Sequence, residues 1–267
     1  MTVMNSEIET APYRAAQLDL SVVVPAYNEE TRLPAYLDKI LSYLEFLEIS
    51  FEIIVVDDGS TDSTAKIVGG YSTRAKNVRL IRLPNNRGKG FAVKTGMLQA
   101  IGAQRLFADA DGATPITELD RLRRAIQDGA DVAIGSRALR DDTCVIKAHL
   151  YRKVIGRVFS FLVNSLTVRG IKDTQCGFKL FTAESAAAAF SRQTIDDFGF
   201  DVEVLFICRS GGYRITEVTV NWSDQKGSKV RLIRDSVRMF MDLLKVRSND
   251  LRGVYCSSVR EVCVEPK

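Results

Sequence analysis

Histidine and tryptophan are nearly missing from this sequence, and so are the segments that several protein classes require. One of each occurs among 267 residues, and the five cysteines include no C-x-x-C pair. A single histidine excludes a histidine metal cluster, and the cysteine pattern predicts reduced thiols rather than a disulfide framework or a zinc site. No run of 18 apolar residues and no apolar N-terminal segment is present. We therefore expect no transmembrane helix and no signal peptide.

A strong charge bias is also missing. Lys and Arg total 37 against 33 Asp and Glu, which gives a net charge of +4. This excess is too small to indicate a nucleic-acid-binding protein. Apolar side chains make up 46% of the residues, which is enough to bury a sizeable core in one large domain.

Apolar runs and helical segments alternate from residue 20 onward. Continuous apolar strands separated by helices indicate an α/β fold, with a mostly parallel, Rossmann-like sheet covered by helices on both faces. The predicted strands are residues 20–25, 51–57, 78–83, 105–109 and 131–135, and the clearest helices are 30–48, 90–102 and 117–127.

Basic and apolar residues then alternate at helical spacing over 148–168 and 230–247. Each segment is either a surface helix over the core or an amphipathic helix lying on an anionic membrane. We divide the chain into a disordered tail (1–19), a catalytic domain (20–229), an amphipathic membrane-interface helix (230–250) and a second tail (251–267).

Carboxylates follow three of the predicted strands, at the end of a parallel sheet where ligands bind. Asp57 ends one strand, and Asp109-Ala-Asp111 follows another. In extended chain, residues two apart point the same way, so Asp109 and Asp111 could face one ion. Paired carboxylates suit Mg²⁺ or Mn²⁺ bound together with a nucleotide diphosphate.

Two further patterns leave alternatives open. Residues 88–95 resemble a Walker A loop, but Val93 stands where that motif has glycine, so we expect Gly88 and Gly90 to let a loop approach the ligand instead. Asp201 and Glu203 are candidate general bases, although each could equally be a helix cap or an ion-pair partner.

Several motifs resemble, in chain order, the inverting family 2 glycosyltransferases with the GT-A fold. They are Val24-Pro-Ala-Tyr-Asn-Glu29, Val55-Val-Asp-Asp-Gly-Ser-Thr-Asp62, Asn86-Arg-Gly-Lys-Gly90 and Ala108-Asp-Ala-Asp-Gly112. Further stretches narrow the resemblance to the glucose-type dolichyl- and polyprenyl-phosphate glycosyltransferases; they are Gly135-Ser-Arg137, Asp173-Thr-Gln-Cys-Gly-Phe-Lys-Leu-Phe181, Phe200-Asp-Val-Glu203, Val220-Asn-Trp-Ser223 and Gly227-Ser-Lys229. Ala113 stands where the mannose-type enzymes commonly have Gln. The resemblance covers about residues 20 to 247.

The resemblance implies a role for each matching residue. The catalytic residues would be Asp111, Arg137 and Arg152. The metal ligands would be Asp109 and Asp111. The acceptor phosphate would be bound by Ser136, Arg137 and Arg152. The donor would be bound by Pro25, Tyr27, Glu29, Asp57, Lys89, Asp109, Ala110, Lys226, Ser228 and Lys229.

The implied reaction is transfer of glucose from UDP-glucose to a dolichyl or other polyprenyl phosphate, with inversion and with Mg²⁺ or Mn²⁺ as cofactor. Alternatives are GDP-mannose or another donor, a hydroxyl acceptor that needs a base, a catalytically silent binding protein, and a P-loop nucleotidase. We expect a cytoplasmic protein, peripheral on the cytoplasmic face of the membrane. The N-terminal anchor of the eukaryotic enzymes is not seen, which favours a prokaryotic relative. The sequence indicates nothing about oligomeric state.

Overall fold

The computed structural model describes residues 17–139, 144–147, 167–168, 170–225 and 232–255, with the backbone alone for 232–237. The strands are β1 (Leu18–Ala26), β2 (Phe51–Asp57), β3 (Val78–Arg82), β4 (Gly102–Ala108), β5 (Val132–Ser136), β6 (Ile146–Lys147), β7 (Phe178–Thr182), β8 (Ile215–Thr219) and β9 (Trp222–Ser223). The helices are α1 (Leu33–Phe46), α2 (Thr64–Arg74), α3 (Lys89–Gln99), α4 (Leu119–Gln127, after a 3-10 turn at Ile116–Glu118), α5 (Ala183–Arg192), α6 (Phe200–Ser210) and α7 (Leu232–Leu251).

Seven strands form one sheet in the order β3-β2-β1-β4-β7-β5-β8. β7 runs antiparallel to both of its neighbours, and every other pair in the sheet is parallel. The predicted mostly parallel α/β sheet is therefore confirmed. A separate two-stranded pair joins β6 to β9.

Helices cover both faces of the sheet, as predicted. Buried side chains of α1, α2 and α4 pack on one face, and those of α3, α5, α6 and α7 pack on the other. The strands alternate between these two clusters: Val22 and Val24 of β1 belong to the first, and Val23 belongs to the second. This alternation is the period-two pattern of a strand buried on both faces.

Some boundaries differ from the sequence prediction. The amide of Gln17 donates to the carbonyl of Ile101, and β1 begins at Leu18, so residues 17–19 are not part of a disordered tail. α3 ends at Gln99 rather than at Gly102, which begins β4. α7 covers the predicted helix 230–250 from Leu232 onward, whereas most of the predicted helix 148–168 lies outside the described residues.

The position of α6 explains why its sequence gives no helical signal. All nine residues from Phe200 to Cys208 are buried, including two carboxylates. A helix enclosed on every side has no polar face, so its sequence lacks an amphipathic period. Within the described part of the chain, no helix combines the length and apolar character needed to cross a membrane.

Candidate active site

The candidate site lies along the carboxyl edge of the parallel strands. β1, β2 and β4 are mutually parallel, and β5 runs in their direction because β7 is antiparallel to both β4 and β5. The residues that follow these four strands therefore meet at one edge, as the sequence predicted. The same edge receives the segment 173–177, because β7 begins there, with Phe178 opposite Ala108.

An open pocket of about 600 Å³ lies at the ends of β1, β2 and β3. It is lined by Tyr27, Gly59, Ser60, Thr61, Arg82, Leu83, Pro84, Asn85 and Asn86. Asp57 lies beside it, fully buried, with Oδ1 accepting from the amide of Ser60 at 3.0 Å. Its Oδ2 has no hydrogen-bond partner among the described residues, although Arg82 Nε lies 3.4 Å away. A buried acceptor with unused capacity at the pocket suits an N–H or O–H donor on a ligand.

Asp58, to which the sequence analysis assigned no role, holds one wall of this pocket in place. Its two carboxylate oxygens accept from the amides of Arg87 at 2.8 Å and Gly88 at 2.9 Å. Burial raises the pKa of Asp58, and these two hydrogen bonds oppose that effect. The loop after β3 is thereby tied to the end of β2.

Asp109 and Asp111 follow β4 in a turn, so the expectation that they lie in extended chain is wrong. The turn forms because Gly112 adopts a φ of +64° and donates its amide to the carbonyl of Asp109. The negative charges of the two carboxylates nevertheless interact. Burial and the charge of Asp109 together raise the pKa of Asp111. Ala110 between them is buried.

A cation faces each of these aspartates. Lys89 Nζ lies 2.7 Å from Asp109 Oδ1, and Arg32 Nη1 lies 3.8 Å from Asp111 Oδ2. Burial alone would lower the pKa of Lys89, but Asp109 and the more distant Asp201 outweigh it and raise the pKa. Arg32 also binds Glu29 through two hydrogen bonds of 2.7 and 2.5 Å. Arg32 was not predicted as a site residue, because its only signal is its position three residues after Glu29 at the start of α1.

Gly177 leaves the space that the Asp109 carboxylate occupies. A Cβ atom at residue 177 would lie 1.9 Å from Asp109 Oδ2 and 2.2 Å from its Cγ. The carbonyl of Gly177 also accepts from the amide of Asp109 at 2.9 Å. Both the backbone and the carboxylate of Asp109 therefore pack against Gly177.

The two aspartates fit a divalent cation shared with a diphosphate. Their side chains are 33% and 27% exposed, so both keep an open side. Within the described ranges, no group of three or more His, Cys, Asp or Glu side chains is assembled. Two carboxylates completed by phosphate oxygens and water form an all-oxygen ligand set of the kind that Mg²⁺ and Mn²⁺ take.

Arg137 forms a cationic side of the site at the end of β5. Its guanidinium makes a bidentate pair with Asp173, at 2.7 and 2.8 Å, and lies 5.3 Å from the Trp222 ring. Burial would raise the pKa of Asp173, but Arg137 outweighs it and lowers the pKa. The Arg137 side chain is 31% exposed, which leaves it able to meet an anion. Ser136, predicted to bind the acceptor, is instead fully buried with its hydroxyl on Glu217.

The two candidate bases are both enclosed. Asp201 is 2% exposed and pairs with the buried ammonium of Lys179. Glu203 is fully buried and accepts from Thr194, from the amide of Ile195 and from the Tyr255 hydroxyl. Neither carboxylate is positioned to take a proton from a bound acceptor, because both are buried and already bound to groups of the protein.

The Walker A resemblance is not reproduced in the structure. Lys94 lies in α3 and donates to the carbonyl of Gln193 at 2.7 Å. Gly88 and Gly90 pack closely against protein backbone: a Cβ on either would lie within 2.7 Å of the carbonyl oxygen of Asp196 or Ile195. The P-loop alternative is therefore wrong, whereas the approach of this loop to a ligand stays a prediction. Arg152, Lys226, Ser228 and Lys229 lie outside the described residues.

Sequence comparisons match this site to one family. The family model for Glycosyl transferase family 2 matches residues 21–193. A dolichyl-phosphate beta-glucosyltransferase of Dictyostelium discoideum is 42% identical over 248 residues, covering 88% of this chain and 76% of that protein. The human protein of the same name is 41% identical, covering 88% and 77%. That of Saccharomyces cerevisiae is 37% identical, covering 90% and 77%.

Solved structures share the fold at low identity. Mycobacterium tuberculosis glucosyl-3-phosphoglycerate synthase, in complex with Mn²⁺, UDP-glucose and phosphoglyceric acid, has a TM-score of 0.65 at 19% identity, covering 87% of this chain and 81% of that one. Mannosyl-3-phosphoglycerate synthase of Rubrobacter xylanophilus has a TM-score of 0.62 at 16% identity, covering 93% and 79%. The fold is the GT-A type that the motifs predicted.

Proposed function

The chain belongs to glycosyl transferase family 2, and from that premise we propose that it transfers glucose from UDP-glucose to a dolichyl or other polyprenyl phosphate, with inversion. The product is a β-linked polyprenyl-phosphate glucose. The relatives that are about 40% identical over most of both chains carry that activity in their names. One structural observation supports the proposal: a carboxylate pair and an arginine that can meet an anion share one edge of the sheet.

The donor binds on the β1–β2–β4 side of this edge in the proposal. The open pocket near Tyr27 and Asp57 receives the uridine. Asp109 and Asp111 hold Mg²⁺ or Mn²⁺, which when bound supplies charge neutralisation for the leaving diphosphate. Lys89 adds a second positive charge beside Asp109. A structural neighbour was solved with both Mn²⁺ and UDP-glucose.

The acceptor phosphate binds on the β5 side. Arg137 is held by Asp173 on one edge of its guanidinium and by the Trp222 ring on one face, so its orientation is set before a ligand arrives. A fixed guanidinium lowers the ordering cost of phosphate binding. Arg152 would add a second positive charge, and Lys226, Ser228 and Lys229 would close over the donor.

A phosphate nucleophile matches the enclosure of the candidate bases. The second pKa of a phosphate monoester is about 6, so the acceptor is mostly dianionic at neutral pH. It can attack the anomeric carbon without giving up a proton. A hydroxyl acceptor would need a general base, whereas Asp201 and Glu203 are both buried and paired. The enclosure of these two carboxylates favours the phosphate acceptor.

A transfer assay tests the proposal directly. Radiolabelled UDP-glucose, Mg²⁺ and dolichyl phosphate are incubated with the protein, and label entering organic solvent is counted. We expect transfer that stops with EDTA or in Asp111→Asn and persists in Glu52→Gln, whose carboxylate is buried near the opposite edge of the sheet. Proton NMR of the product should show the β anomer. Transfer from GDP-mannose but not from UDP-glucose would show that the donor is GDP-mannose. Absence of transfer with every donor would refute the proposal.

Arg137 gives a second test that separates acceptor from donor. Arg137→Lys keeps a positive charge beside Asp173 but cannot form the bidentate pair. We expect a higher KM for dolichyl phosphate and unchanged UDP binding in calorimetry. Loss of UDP binding would place Arg137 on the donor side.

The lipid acceptor requires contact with a membrane surface, and we propose that α7 provides it. Met241, Leu244 and Leu251 are exposed apolar side chains of this helix, and Arg238 and Lys245 are exposed beside them. Apolar and basic side chains on one helix suit an anionic lipid surface.

Vesicle sedimentation tests this contact. Met241→Glu combined with Leu244→Glu should reduce binding to phosphatidylserine-containing vesicles. Phe46→Glu is the matched control, because Phe46 is an exposed apolar residue at the end of α1. Equal sedimentation of the double variant and the control would refute the assignment to α7.

A further inference from the structure

The segment from Asp173 to Lys179 contains a buried charge that the proposed reaction does not use. Lys179, on β7, is fully buried, and its partner Asp201, on α6, is 2% exposed. Burying such a pair is costly, since both ions lose their hydration, and apolar residues of the same size often stabilise a protein as well or better. Stability alone therefore gives a weak reason for this pair at this position.

Lys179 is bound to the backbone that supports Asp109. Its ammonium donates to the carbonyl of Cys176 at 2.6 Å, as well as to the Asp201 carboxylate. The next residue is Gly177, whose carbonyl accepts from the Asp109 amide and whose missing side chain leaves room for the Asp109 carboxylate. One chain of contacts thus runs from Asp201 through Lys179 and the 176–177 backbone to Asp109.

We propose that Lys179 and Asp201 are positioning residues for the metal-binding aspartate: they hold the Cys176–Gly177 backbone so that the Asp109 carboxylate keeps one orientation. Asp201 holds the ammonium of Lys179, and this ammonium holds the carbonyl of Cys176. The adjoining Gly177 then keeps Asp109 in place through the hydrogen bond from the Asp109 amide. This inference deepens the proposed function, because it rests on Asp109 binding a divalent cation.

The other end of the segment is held as well. Asp173 is tied to Arg137 by the bidentate pair, and its amide donates to Glu217 at 2.9 Å. The segment is therefore fixed at both ends, on the acceptor side by Arg137 and on the donor side by Lys179. Such supporting contacts orient ligands to a metal and commonly change metal affinity by about 10- to 100-fold when removed.

A double variant separates positioning from stability. Lys179→Met and Asp201→Asn each leave a buried group without its charged partner, so both single variants should lose thermal stability. In the double variant Lys179→Met/Asp201→Asn no buried charge is left uncompensated. We expect its melting temperature to recover, while its Mn²⁺ affinity stays low because nothing holds the Cys176 carbonyl.

The measurement is the Kd for Mn²⁺ in the presence of UDP, from the electron paramagnetic resonance signal of free Mn²⁺. We expect the Kd of the double variant to exceed that of the parent by about tenfold or more. Glu52→Gln is the matched control: its carboxylate is buried and pairs with Arg79, away from the site. It should lower the melting temperature without changing the Kd.

The outcomes are distinct from those of the transfer assay, because neither lipid nor glucose takes part. If the double variant binds Mn²⁺ as the parent does, the pair serves stability alone and the inference is wrong. A parent that binds no Mn²⁺ in the presence of UDP would overturn the inference as well. A parent that binds Mn²⁺ and UDP but transfers no glucose would refute only the proposed function.

Discussion

Replacing Gly177 with alanine adds one carbon at a position where the structure has no room for it. The new Cβ would lie 1.9 Å from Asp109 Oδ2. Non-bonded heavy atoms settle roughly 3.5–4 Å apart, so the carboxylate must move by about 1.5 Å or more. A misplacement of about 1 Å in a catalytic group can cost about 10²-fold in rate. We therefore expect kcat/KM to fall by about 10²-fold, which corresponds to about 2.7 kcal/mol of activation free energy.

The same substitution should change stability little. The Asp109 side chain can rotate away from the new methyl group, and this rotation breaks its ion pair with Lys89. The two side chains are 21% and 33% exposed, so the loss of the pair should cost about 1 kcal/mol, the upper end of the range for surface pairs. The expected pattern is a strong loss of glucose transfer with a nearly unchanged melting temperature.

Two assays on matched variants check this pattern. Transfer from UDP-glucose and thermal unfolding are measured for Gly177→Ala and for Gly69→Ala, whose added Cβ would have nothing within 4 Å. The control should keep full activity. Gly177→Ala that transfers glucose at the parent rate would show that the orientation of Asp109 does not govern catalysis.

Two more predictions concern residues outside the carboxylate pair. Lys94→Ala should lose the hydrogen bond to the Gln193 carbonyl, and a hydrogen bond from a charged group contributes roughly 1.5–3 kcal/mol to stability. The variant should nevertheless keep the kcat of the parent. A large loss of kcat in folded protein would support the P-loop alternative. Burial raises the pKa of Asp242 above its unfolded value, and Lys245 and Arg238 only partly oppose this, so its charged form disfavours folding at neutral pH. Asp242→Asn should therefore raise the melting temperature at pH 7 and lose that advantage as the pH falls to about 4, the ordinary range of an aspartate pKa; a difference that does not change with pH would contradict this.

The parallel part of the sheet could be predicted because β1, β2 and β5 each contain an uninterrupted run of apolar residues. Val22, Val23 and Val24 face both layers of the core, and such runs between helices leave few topologies open. The positions of Asp57 and Asp109 followed from the same reasoning, since parallel strands bring their carboxyl ends to one edge. The family came from the order of the motifs, which periodicity alone does not provide.

Contacts between distant segments could not be predicted in this way. The two glycines at the start of α3 resemble a phosphate-binding loop in sequence, but the residues that need their missing side chains are Ile195 and Asp196, about a hundred positions later. A glycine can indicate that other atoms pack closely against its backbone, but a single sequence does not identify those atoms. The sequence could therefore not predict that Gly88 and Gly90 pack against residues 195 and 196.

The antiparallel strand β7 shows the same limit at the site itself. Only the insertion of this strand between β4 and β5 brings the turn before it against Asp109. Lys179 then faces inward, where a lysine is expected only if a carboxylate is buried with it. That carboxylate, Asp201, belongs to a helix whose sequence lacks an amphipathic pattern because it is enclosed on every side. The residue that looked like a base is instead the counterion that makes a buried lysine possible, and tertiary contacts alone distinguish those two roles.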